Sequence, residues 1–485
     1  MLLGIDLGTG SAKAILIAPS GAVLGEGAAS YLVRSPLPNW AESDPLDWWG
    51  ACAEAVWAAV GERGASVTAL GLSGQMHGVV LTDAVGNPTR PAMLWADTRS
   101  AVLLDRYRDL EAGLRGRLAN PLVAGMAGPS LLWLRDEEPE AYRAARWALQ
   151  PKDWMRLRLT GEAFSEPSDA SATLLYDLQA DAWLGQVVEA LGLRADLLPP
   201  LVASGSSAGT LTREAAGFFG LPAGLPVAAG AGDTAAALLG SGLLEAGYVQ
   251  LTVGTGAQIL SPRESPLPDP CRRTHLYRTA HEHPSGRYYS MAAMQNAGLA
   301  LEWVLKVLGV SWEEAYQEAF SVPAGAGSVT FLPYLSGERT PHLDPHARGA
   351  WTGLGLAHGR AHLLRAAFEG VAFAIREGFE ALEEVGVRAP ELRLAGGGVL
   401  RAPWRQLLAD VLRRPLGLLP ASLAPAASAR GAALLAGLAQ GTYDSVEETI
   451  LIAPKIQEIV LPQDDDRYEA AYARYRKLYP RLREP

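Results

Sequence analysis

The chain has 485 residues, of which 49% are hydrophobic and 19% charged, with a formal net charge of −10. This length predicts two large domains rather than one core, and the composition is that of a globular protein. The acidic balance disfavours a nucleic-acid surface. Apolar runs of membrane-spanning length and a basic leader with a cleavage site are both missing, so we expect a cytoplasmic protein that binds no membrane.

Apolar periodicity and turn residues predict alternating strands and helices in the first half. A hairpin spans 3–16, a helix 48–63, and a buried strand 67–72, which ends in the turn Ser73-Gly74-Gln75; another strand spans 79–82. Residues 101–165 read as mainly helical and 197–226 as rich in loops. A strand over 227–233 then ends at Asp233, before a helix over 234–239.

The second half begins with another hairpin, over 249–260. A long helix over 362–384 follows, then a strand over 391–395 that runs into three glycines, and helices over 404–412 and 429–439. The charged C-terminus with its Tyr/Leu stripe is interpreted as a solvated helix. The pattern predicts an α/β fold with an N-terminal domain over 1–240 and a C-terminal domain over 241–485.

The two hairpins share one local pattern, an apolar strand, a Gly-Thr-Gly tip and a second apolar strand. Glycines and a threonine at such a tip let backbone N–H groups and a hydroxyl approach an oxyanion closely. Two related domains gripping one polyphosphate would explain the pair. Chance is the alternative for either motif alone, since the chain has 52 glycines. Asp6 has Thr252 as its counterpart, so only the first hairpin offers a carboxylate there.

Several further motifs resemble the FGGY family of carbohydrate kinases, and most closely the xylulokinases within it, nearly from end to end. They are Asp6-Leu7-Gly8-Thr9-Gly10-Ser11, Gly71 to Gly78 with its Gln-Met-His-Gly stretch, Trp95 to Arg99, Pro151-Lys152-Asp153-Trp154, Gly230-Ala231-Gly232-Asp233, Gly337 to His342, Gly396-Gly397-Gly398 and Trp404-Arg405-Gln406. The resemblance implies the two-domain actin/hexokinase-like ATPase fold with duplicated ribonuclease H-like domains. It also implies ATP and Mg²⁺ as cofactors, and a small sugar as the substrate.

The resemblance makes Asp233 the general base that accepts the proton of the sugar hydroxyl during in-line γ-phosphoryl transfer. Capping of the helix that begins at Thr234 is the structural alternative for this carboxylate. Asp6 is expected to support Mg²⁺ through water, because Mg²⁺ keeps most of its hydration shell; a turn aspartate is its alternative. Asp6 and Asp233 are therefore the candidate catalytic and metal residues.

The remaining expectations concern the two substrates. Phosphate and adenosine contacts are expected from Thr9, Gly10, Ser11, Lys13, Gly254, Thr255, Gly298, Gly397, Gly398 and Arg401. Sugar contacts are expected from Gln75, Met76, His77, Asp233 and Thr234. Trp40, Trp49 and Trp95 are weaker candidates for a sugar face, since tryptophans are more often core residues.

Two departures from the family pattern bear on these expectations. The glycine run is followed by Val399-Leu400-Arg401 where Ala-Lys-Ser is common, which affects the adenine side. Asp233 is followed by Thr234 where xylulokinases commonly have Asn, which reduces the hydrogen-bonding groups available to the sugar. The expected reaction is phosphorylation of D-xylulose to D-xylulose 5-phosphate.

Alternatives within the family are kinases of ribulose, gluconate or glycerol; we identify no arginine at the sugar motifs to receive the gluconate carboxylate. A sugar-binding pseudokinase regulator would not need the two aspartates. A filament-forming or chaperone-like ATPase would not need the Gln-Met-His-Gly turn. The two cysteines, Cys52 and Cys271, match no metal or redox spacing. The sequence leaves the oligomeric state open, including a homodimer.

Overall fold

A computed structural model describes residues 1–399, 401–420, 426–463 and 466–483. The strands of the first half are β1 (Leu2–Leu7), β2 (Ser11–Ile17), β3 (Val23–Ser30), β4 (Glu42–Ser43), β5 (Ala69–Gly74), β6 (Val80–Thr82), β7 (Ala92–Met93), β8 (Trp147–Leu149), β9 (Tyr176–Asp177), β10 (Ala182–Trp183), β11 (Ser207–Thr210), β12 (Pro226–Ala228) and β13 (Ala231–Gly232). Its helices are α1 (Pro45–Val60), α2 (Leu104–Arg108), α3 (Ala112–Arg117), α4 (Ala127–Glu137), α5 (Pro139–Ala144), α6 (Pro151–Thr160), α7 (Pro167–Ala170), α8 (Gly185–Ala190), α9 (Arg213–Phe219) and α10 (Asp233–Gly240).

The second half repeats the alternation of strands and helices. Its strands are β14 (Val249–Val253), β15 (Ala257–Arg263), β16 (His275–Arg278), β17 (Tyr288–Met294), β18 (Thr330–Leu332), β19 (Ala350–Thr352), β20 (Leu392–Ala395), β21 (Leu416–Leu418) and β22 (Glu458–Val460). Its helices are α11 (Gly298–Leu308), α12 (Trp312–Ser321), α13 (Arg360–Glu384), α14 (Ala402–Leu412), α15 (Ala427–Gln440), α16 (Val446–Leu451), α17 (Glu469–Tyr475) and α18 (Leu478–Leu482).

Each half is built on a mixed sheet with the same central arrangement. The first sheet has the order β11-β12-β5-β1-β2-β3, with β13 paired to β5; the second has the order β16-β17-β15-β14-β20-β21-β22. In the first, β1 pairs antiparallel with β2 and parallel with β5. In the second, β14 pairs antiparallel with β15 and parallel with β20. The predicted α/β class and both hairpins are therefore confirmed.

Most predicted elements are present, with some differences. Ser73 and Gly74 belong to β5 and not to a turn, and the strand predicted over 227–233 is divided into β12 and β13, with Asp233 at the start of α10. The region 197–226 is rich in loops, as predicted, and also holds β11 and α9. The region 101–165 is helical in short pieces and is interrupted by β8. The described part of the C-terminus forms α17 and α18, but Tyr472 and Tyr475 are buried against Phe373 with ring centroids 5.5 Å away. This aromatic stripe packs on the core, so the solvated interpretation was wrong.

Helix α15 comes from the C-terminal half but packs on the N-terminal sheet. A Cβ atom on Gly4 of β1 would lie 1.9 Å from the Ala429 carbonyl oxygen, and one on Gly71 of β5 would lie 1.9 Å from that of Ala432. Only glycine allows backbones to approach this closely. The domain division at residue 240 stays a prediction, since this helix joins the packing of both halves.

Among the residues described, no helix is long and apolar enough to cross a membrane.

Candidate functional site

Two aspartates are brought together where three parallel strands of the first sheet end. Strand β1 pairs with β5 so that Asp6 lies opposite Ser73, and β13 pairs with β5 so that Gly232 lies opposite Gly74. Asp233 follows Gly232 directly and begins α10. Parallel strands end at one edge, which is where ligands bind in open α/β sheets. This register, with residues far apart in sequence, places both predicted carboxylates at one edge.

Asp6 is held by its neighbour on the adjacent strand. The Ser73 hydroxyl donates to Asp6 Oδ1 at 2.7 Å, and Asp6 is 8% exposed. Burial raises the pKa of Asp6, and the Ser73 hydrogen bond and the Lys13 charge partly offset this. Lys13 lies opposite Asp6 on β2. The structure therefore puts the predicted Lys13 next to the carboxylate on the first hairpin.

Asp233 is the first residue of α10, whose N-cap is Gly232. Its Oδ1 accepts hydrogen bonds from the Thr234 N–H at 2.6 Å and from the Thr234 hydroxyl at 3.1 Å. Burial, followed by the negative charge of Asp6, raises the pKa of Asp233 to about 7, against the opposing effect of the Thr234 bonds. A carboxylate with a pKa near neutrality is suited to accept a proton in a reaction at physiological pH. Asp233 does not occupy the capping position that was its structural alternative.

The pair of carboxylates fits a hydrated divalent cation. Burial raises the pKa of both carboxyl groups, and the negative charge of Asp6 raises that of Asp233 further. A cation between the two carboxylates would relieve this repulsion. Within the described ranges, no group of three or more His, Cys, Asp or Glu side chains could form a metal cage. Mg²⁺ is commonly held by one or two carboxylates, several waters and the phosphates of a substrate.

The tip of the first hairpin lies beside these carboxylates and is supported from outside. Trp95 Nε1 donates to the Thr9 hydroxyl at 2.8 Å, and Gln75 Nε2 donates to the Gly8 carbonyl at 3.2 Å. A Cβ on Gly10 would meet nothing within 4 Å, so the tip is open to a ligand. Gln75 is buried and faces this turn, which gives it a role in shaping the hairpin in addition to the predicted sugar contact.

His77 sits after β5 in a left-handed conformation with φ of 74°. Its Nδ1 lies 2.7 Å from the Ala172 carbonyl oxygen, which can only accept, so Nδ1 carries the proton. Burial lowers the pKa of His77 to about 4, so the ring is neutral at physiological pH and Nε2 is an acceptor. Met76 is buried, and a Cβ on Gly232 would lie 2.9 Å from its Cγ. Met76 therefore packs under the Asp233 segment, and the imidazole is the better sugar ligand of the two.

Residues from the second sheet complete the surroundings of His77, and sequence reasoning missed them. The Tyr277 ring centroid lies 6.0 Å from that of His77, and the Tyr277 hydroxyl is 2.8 Å from His275 Nδ1. Arg339 Nη2 is 3.2 Å from His275 Nε2. Arg339 is therefore near the predicted sugar motif in space, although no arginine was identified at that motif in the sequence. Arg339 belongs to a motif quoted above, but its distance in sequence from His77 and His275 hid this proximity.

The three candidate tryptophans have different surroundings in the structure. Trp95 is 41% exposed and next to Thr9, where it can face a ligand. The Arg99 guanidinium lies 3.3 Å from the ring centroid of Trp40. Trp49 stacks on Phe218 at 5.6 Å. Of the three, Trp95 is the one that bonds to a predicted site residue.

A cavity of about 340 Å³ opens at the tip of the second hairpin. Its lining includes the five glycine and threonine residues predicted there together with aromatic and acidic side chains; these are Gly254, Thr255, Gly298, Gly397, Gly398, Glu302, Trp312 and Trp404. Backbone N–H groups and aromatic faces are suited to phosphate and adenine groups respectively. The cavity therefore supports the predicted nucleotide contacts, and Glu302, Trp312 and Trp404 are additions to them.

Helix α11 begins at this hairpin tip. The Gly298 N–H donates to the Gly254 carbonyl at 3.0 Å, and the Leu299 N–H donates to the Thr255 carbonyl at 2.9 Å. A Cβ on Gly298 would lie 2.5 Å from the Gly254 oxygen, so glycine is required for this approach. The positive end of a helix dipole thus lies beside the predicted phosphate loop.

Arg401 lies apart from the residues that line the cavity. Its Nη2 is 2.9 Å from Glu313 Oε2, and both side chains are more than half exposed. The departure from the family pattern at 399–401 includes Leu400, which lies outside the described residues. An adenine contact from Arg401 therefore stays a prediction.

The nucleotide cavity and the aspartates are connected by packing. Ala395, at the end of β20 before the glycine run, shares a small apolar cluster with Ala427 of α15 and Ala237 of α10. The Ser428 hydroxyl donates to the backbone carbonyl of Asp233 at 3.0 Å. The start of α15 therefore links the glycine run of one half to the helix that carries Asp233 in the other.

Family models match most of the chain. One described as "FGGY family of carbohydrate kinases, N-terminal domain" matches residues 1–240, and one for the C-terminal domain of the same family matches 249–440.

Individual relatives match over nearly the full length. The chain is 37% identical to a xylulose kinase from Escherichia coli (strain K12), covering 99% of both chains, and 32% identical to one from Bacillus subtilis (strain 168), covering 99% of this chain and 96% of that protein. A solved structure of a xyloylose kinase from Brucella ovis is 35% identical, with a TM-score of 0.89 and 99% of both chains covered. One of a xylulose kinase from Rhodospirillum rubrum is 29% identical, with a TM-score of 0.90, and covers 99% of this chain and 98% of that one.

Proposed function

The chain belongs to the FGGY family of carbohydrate kinases, and we propose that it is an enzyme that transfers the γ-phosphoryl group of ATP to D-xylulose, giving D-xylulose 5-phosphate. The observation that carries this proposal is the pair Asp6 and Asp233, brought to one sheet edge by the register of β1, β5 and β13. The sugar itself is proposed from the relatives, which include xylulose kinases at 37% and 32% identity.

Asp233 acts as the general base in this scheme. Its carboxylate accepts the proton of the sugar's terminal hydroxyl as that oxygen attacks the γ-phosphorus in line. The raised pKa of Asp233, about 7, keeps the carboxylate basic enough for this transfer. Its bonds to Thr234 orient the carboxylate at the start of α10.

The two hairpins hold the phosphates from opposite halves of the chain. Thr9, Gly10 and Ser11 provide one tip, while Gly254 and Thr255 provide the other, with the N-terminus of α11 behind it. Lys13 adds positive charge beside Asp6. Mg²⁺, held by Asp6 and Asp233 through water, would neutralise charge on the transferring phosphoryl group. The adenosine lies in the cavity lined by Gly397, Gly398 and the aromatic residues.

The sugar lies between Asp233 and His77. Neutral His77 offers Nε2 as an acceptor to a hydroxyl, because its Nδ1–H is already donated to Ala172. Arg339, near His275, supplies donors on the side of the second sheet. A ketose places hydroxyls and a carbonyl oxygen along its length, which matches acceptors at one end and donors at the other.

Three finer points complete the proposal. Mg²⁺ is the divalent cation because the site offers only oxygen ligands from two carboxylates, which suits a hard ion. The enzyme works in the cytoplasm, where ATP is available as the phosphoryl donor. It binds small molecules and no nucleic acid, in keeping with its net charge of −10.

The test is ADP formation measured by a coupled assay against D-xylulose, D-ribulose, gluconate and glycerol, with ATP and Mg²⁺ present. We expect the highest kcat/KM for D-xylulose. A kcat/KM for another substrate at least about tenfold above that for xylulose, which corresponds to about 1.4 kcal/mol of transition-state binding, would overturn the sugar assignment. Absence of turnover with every sugar would overturn the kinase assignment as well.

A further inference from the structure

A buried serine hydroxyl beside β13 holds the backbone immediately before Asp233. The N–H of Gly232 donates to Ser168 Oγ at 3.0 Å, and Ser168 is fully buried. Ser168 belongs to the short helix α7, far from Asp233 in sequence. The last backbone donor before the catalytic carboxylate is therefore satisfied by a side chain.

The direction of this hydroxyl is fixed by Glu166. The Ser168 hydroxyl donates to Glu166 Oε1 at 2.8 Å, and the Ser168 N–H donates to Oε2 at 2.8 Å. Because the hydroxyl proton is given to the carboxylate, the lone pairs of Ser168 Oγ are left to receive the Gly232 N–H. A hydrogen bond to a charged acceptor is also stronger than one between neutral groups.

Glu166 is itself held in a buried ionic cluster. Lys152 Nζ lies 3.2 Å from Glu166 Oε1, 2.7 Å from Asp153 Oδ1 and 3.0 Å from Asp169 Oδ2, and all four side chains are fully buried. Neighbouring acidic groups raise the pKa of Lys152 against the effect of burial, so it stays charged. Removing one member of such a cluster leaves an uncompensated buried charge. The hydroxyl is therefore a cleaner target for mutation than the ions behind it.

The segment before Asp233 needs an external anchor. Gly230 has φ of 87° and Gly232 also lacks a side chain, so the chain there has little stiffness of its own. In addition to the pairing of β13 with β5, two backbone donors hold it: the Gly230 N–H donates to the Ser204 carbonyl at 3.0 Å, and the Gly232 N–H donates to Ser168. Misplacing a catalytic group by about 1 Å can cost about 10²-fold in rate.

We propose that Ser168 is a positioning residue for the phosphoryl transfer: its hydroxyl, oriented by Glu166, fixes Gly232 and thereby the carboxylate of Asp233. This inference rests on the proposed function, in which Asp233 is the general base. It assigns Ser168 no contact with the sugar or the nucleotide.

The chain offers a matched control in Ser204. Its hydroxyl donates to Glu166 Oε2 at 2.7 Å, so Ser204→Ala also removes one buried hydroxyl from the same carboxylate. The anchor for Gly230 is the backbone carbonyl of Ser204, which this change keeps. The two alanine variants therefore differ in whether the Asp233 segment loses a hydrogen bond.

The experiment measures kcat, KM for xylulose, KM for ATP and Tm for wild type, Ser168→Ala, Ser168→Cys and Ser204→Ala. We expect kcat to fall roughly 10- to 100-fold in Ser168→Ala, as for a misplaced catalytic group, with both KM values within about twofold of wild type. Ser168→Cys keeps the side chain's size but is a weaker acceptor, so it should lose kcat while folding normally. Ser204→Ala should keep kcat close to wild type while losing a similar amount of Tm to Ser168→Ala.

Equal kcat values for Ser168→Ala and Ser204→Ala would overturn the positioning role, as would wild-type kcat in Ser168→Cys. If Ser168→Ala does not fold, the comparison of Ser168→Cys with Ser204→Ala decides the matter in the same way. Failure of the proposed function has a different signature, because wild type itself would then show no turnover of xylulose.

Discussion

Thr234 donates both its hydroxyl and its backbone N–H to Asp233: the hydroxyl lies 3.1 Å and the N–H 2.6 Å from the same oxygen, Oδ1. The residue that stands where xylulokinases commonly have asparagine thus directs its hydroxyl to the carboxylate proposed as the general base. An asparagine at this position could still donate its backbone N–H to Asp233 and would also present a side-chain amide to the sugar.

Thr234→Asn should therefore lower KM for xylulose. One added net hydrogen bond is worth about 0.5–1.5 kcal/mol, which corresponds to roughly two- to twelvefold in KM. Thr234→Val is the matched variant, since it keeps the shape and removes the hydroxyl; it should change kcat more than KM. Steady-state kinetics on both variants provide the measurement, and an unchanged or higher KM in Thr234→Asn would contradict the prediction.

The pH dependence of kcat/KM should follow the ionisation of the Asp233 carboxyl group. Its pKa is raised to about 7, so below this value the carboxyl becomes protonated and cannot accept the sugar proton. We expect kcat/KM for xylulose to rise with pH and then to level off, with a midpoint at or below about 7, because bound Mg²⁺ would relieve the repulsion from Asp6. His77, with a pKa lowered to about 4, should stay neutral through this range and contribute nothing. A profile whose rise lies above pH 7, or one that falls as pH rises, would rule out this assignment.

Asp6→Asn should weaken the use of Mg²⁺. The change keeps the side chain's size and the Ser73 contact but removes the charge that favours a cation. Changes close to a metal typically cost roughly 10–100-fold in affinity or activity, and the Mg²⁺ concentration for half-maximal rate should rise within that range. Ser73→Ala, which removes only the supporting bond, should show a smaller shift. Wild-type Mg²⁺ dependence in Asp6→Asn would show that Asp6 does not support the ion.

Gly298→Ala should raise KM for ATP and leave KM for xylulose unchanged. Its new Cβ would lie 2.5 Å from the Gly254 carbonyl, so the second hairpin must move away from α11. Gly50→Ala on α1 is a suitable control, because a Cβ there meets nothing within 4 Å. The two KM values, measured for both variants, distinguish a local effect on the nucleotide side from general destabilisation. Equal effects on both substrates would contradict the proposed location of the nucleotide.

The sequence predicted the parts of the site that local patterns encode. Both hairpins follow from short apolar runs around Gly-Thr-Gly tips, and Asp233 follows from a strand that ends before a helix. Hydrophobic periodicity also located α13 and α15 to within a few residues. These features depend on neighbours close in sequence, which a single chain displays directly.

Contacts between distant residues were the part that could not be predicted. The Ser73–Asp6 hydrogen bond depends on the register of β1 and β5, and Arg339 approaches His275 only through the tertiary fold. Likewise, the aromatic residues at the C-terminus lie in a charged segment, which predicts exposure to solvent. Tyr475 is nevertheless buried, because its hydroxyl donates to that of Tyr334 and its ring packs on Phe373. The density of charged residues in a segment does not reveal packing partners that are distant in sequence.

The most direct test of the account is the turnover of Asp233→Asn. Asparagine keeps the size of the side chain and an oxygen for the Thr234 bonds, but it cannot accept the sugar proton. Loss of a positioned general base typically costs on the order of 10²–10⁴ in rate, so kcat for xylulose phosphorylation should fall by that factor, with KM for xylulose changing far less and the Tm close to wild type. A variant that retains near-wild-type kcat would contradict the role of Asp233 and with it the mechanism proposed for this kinase.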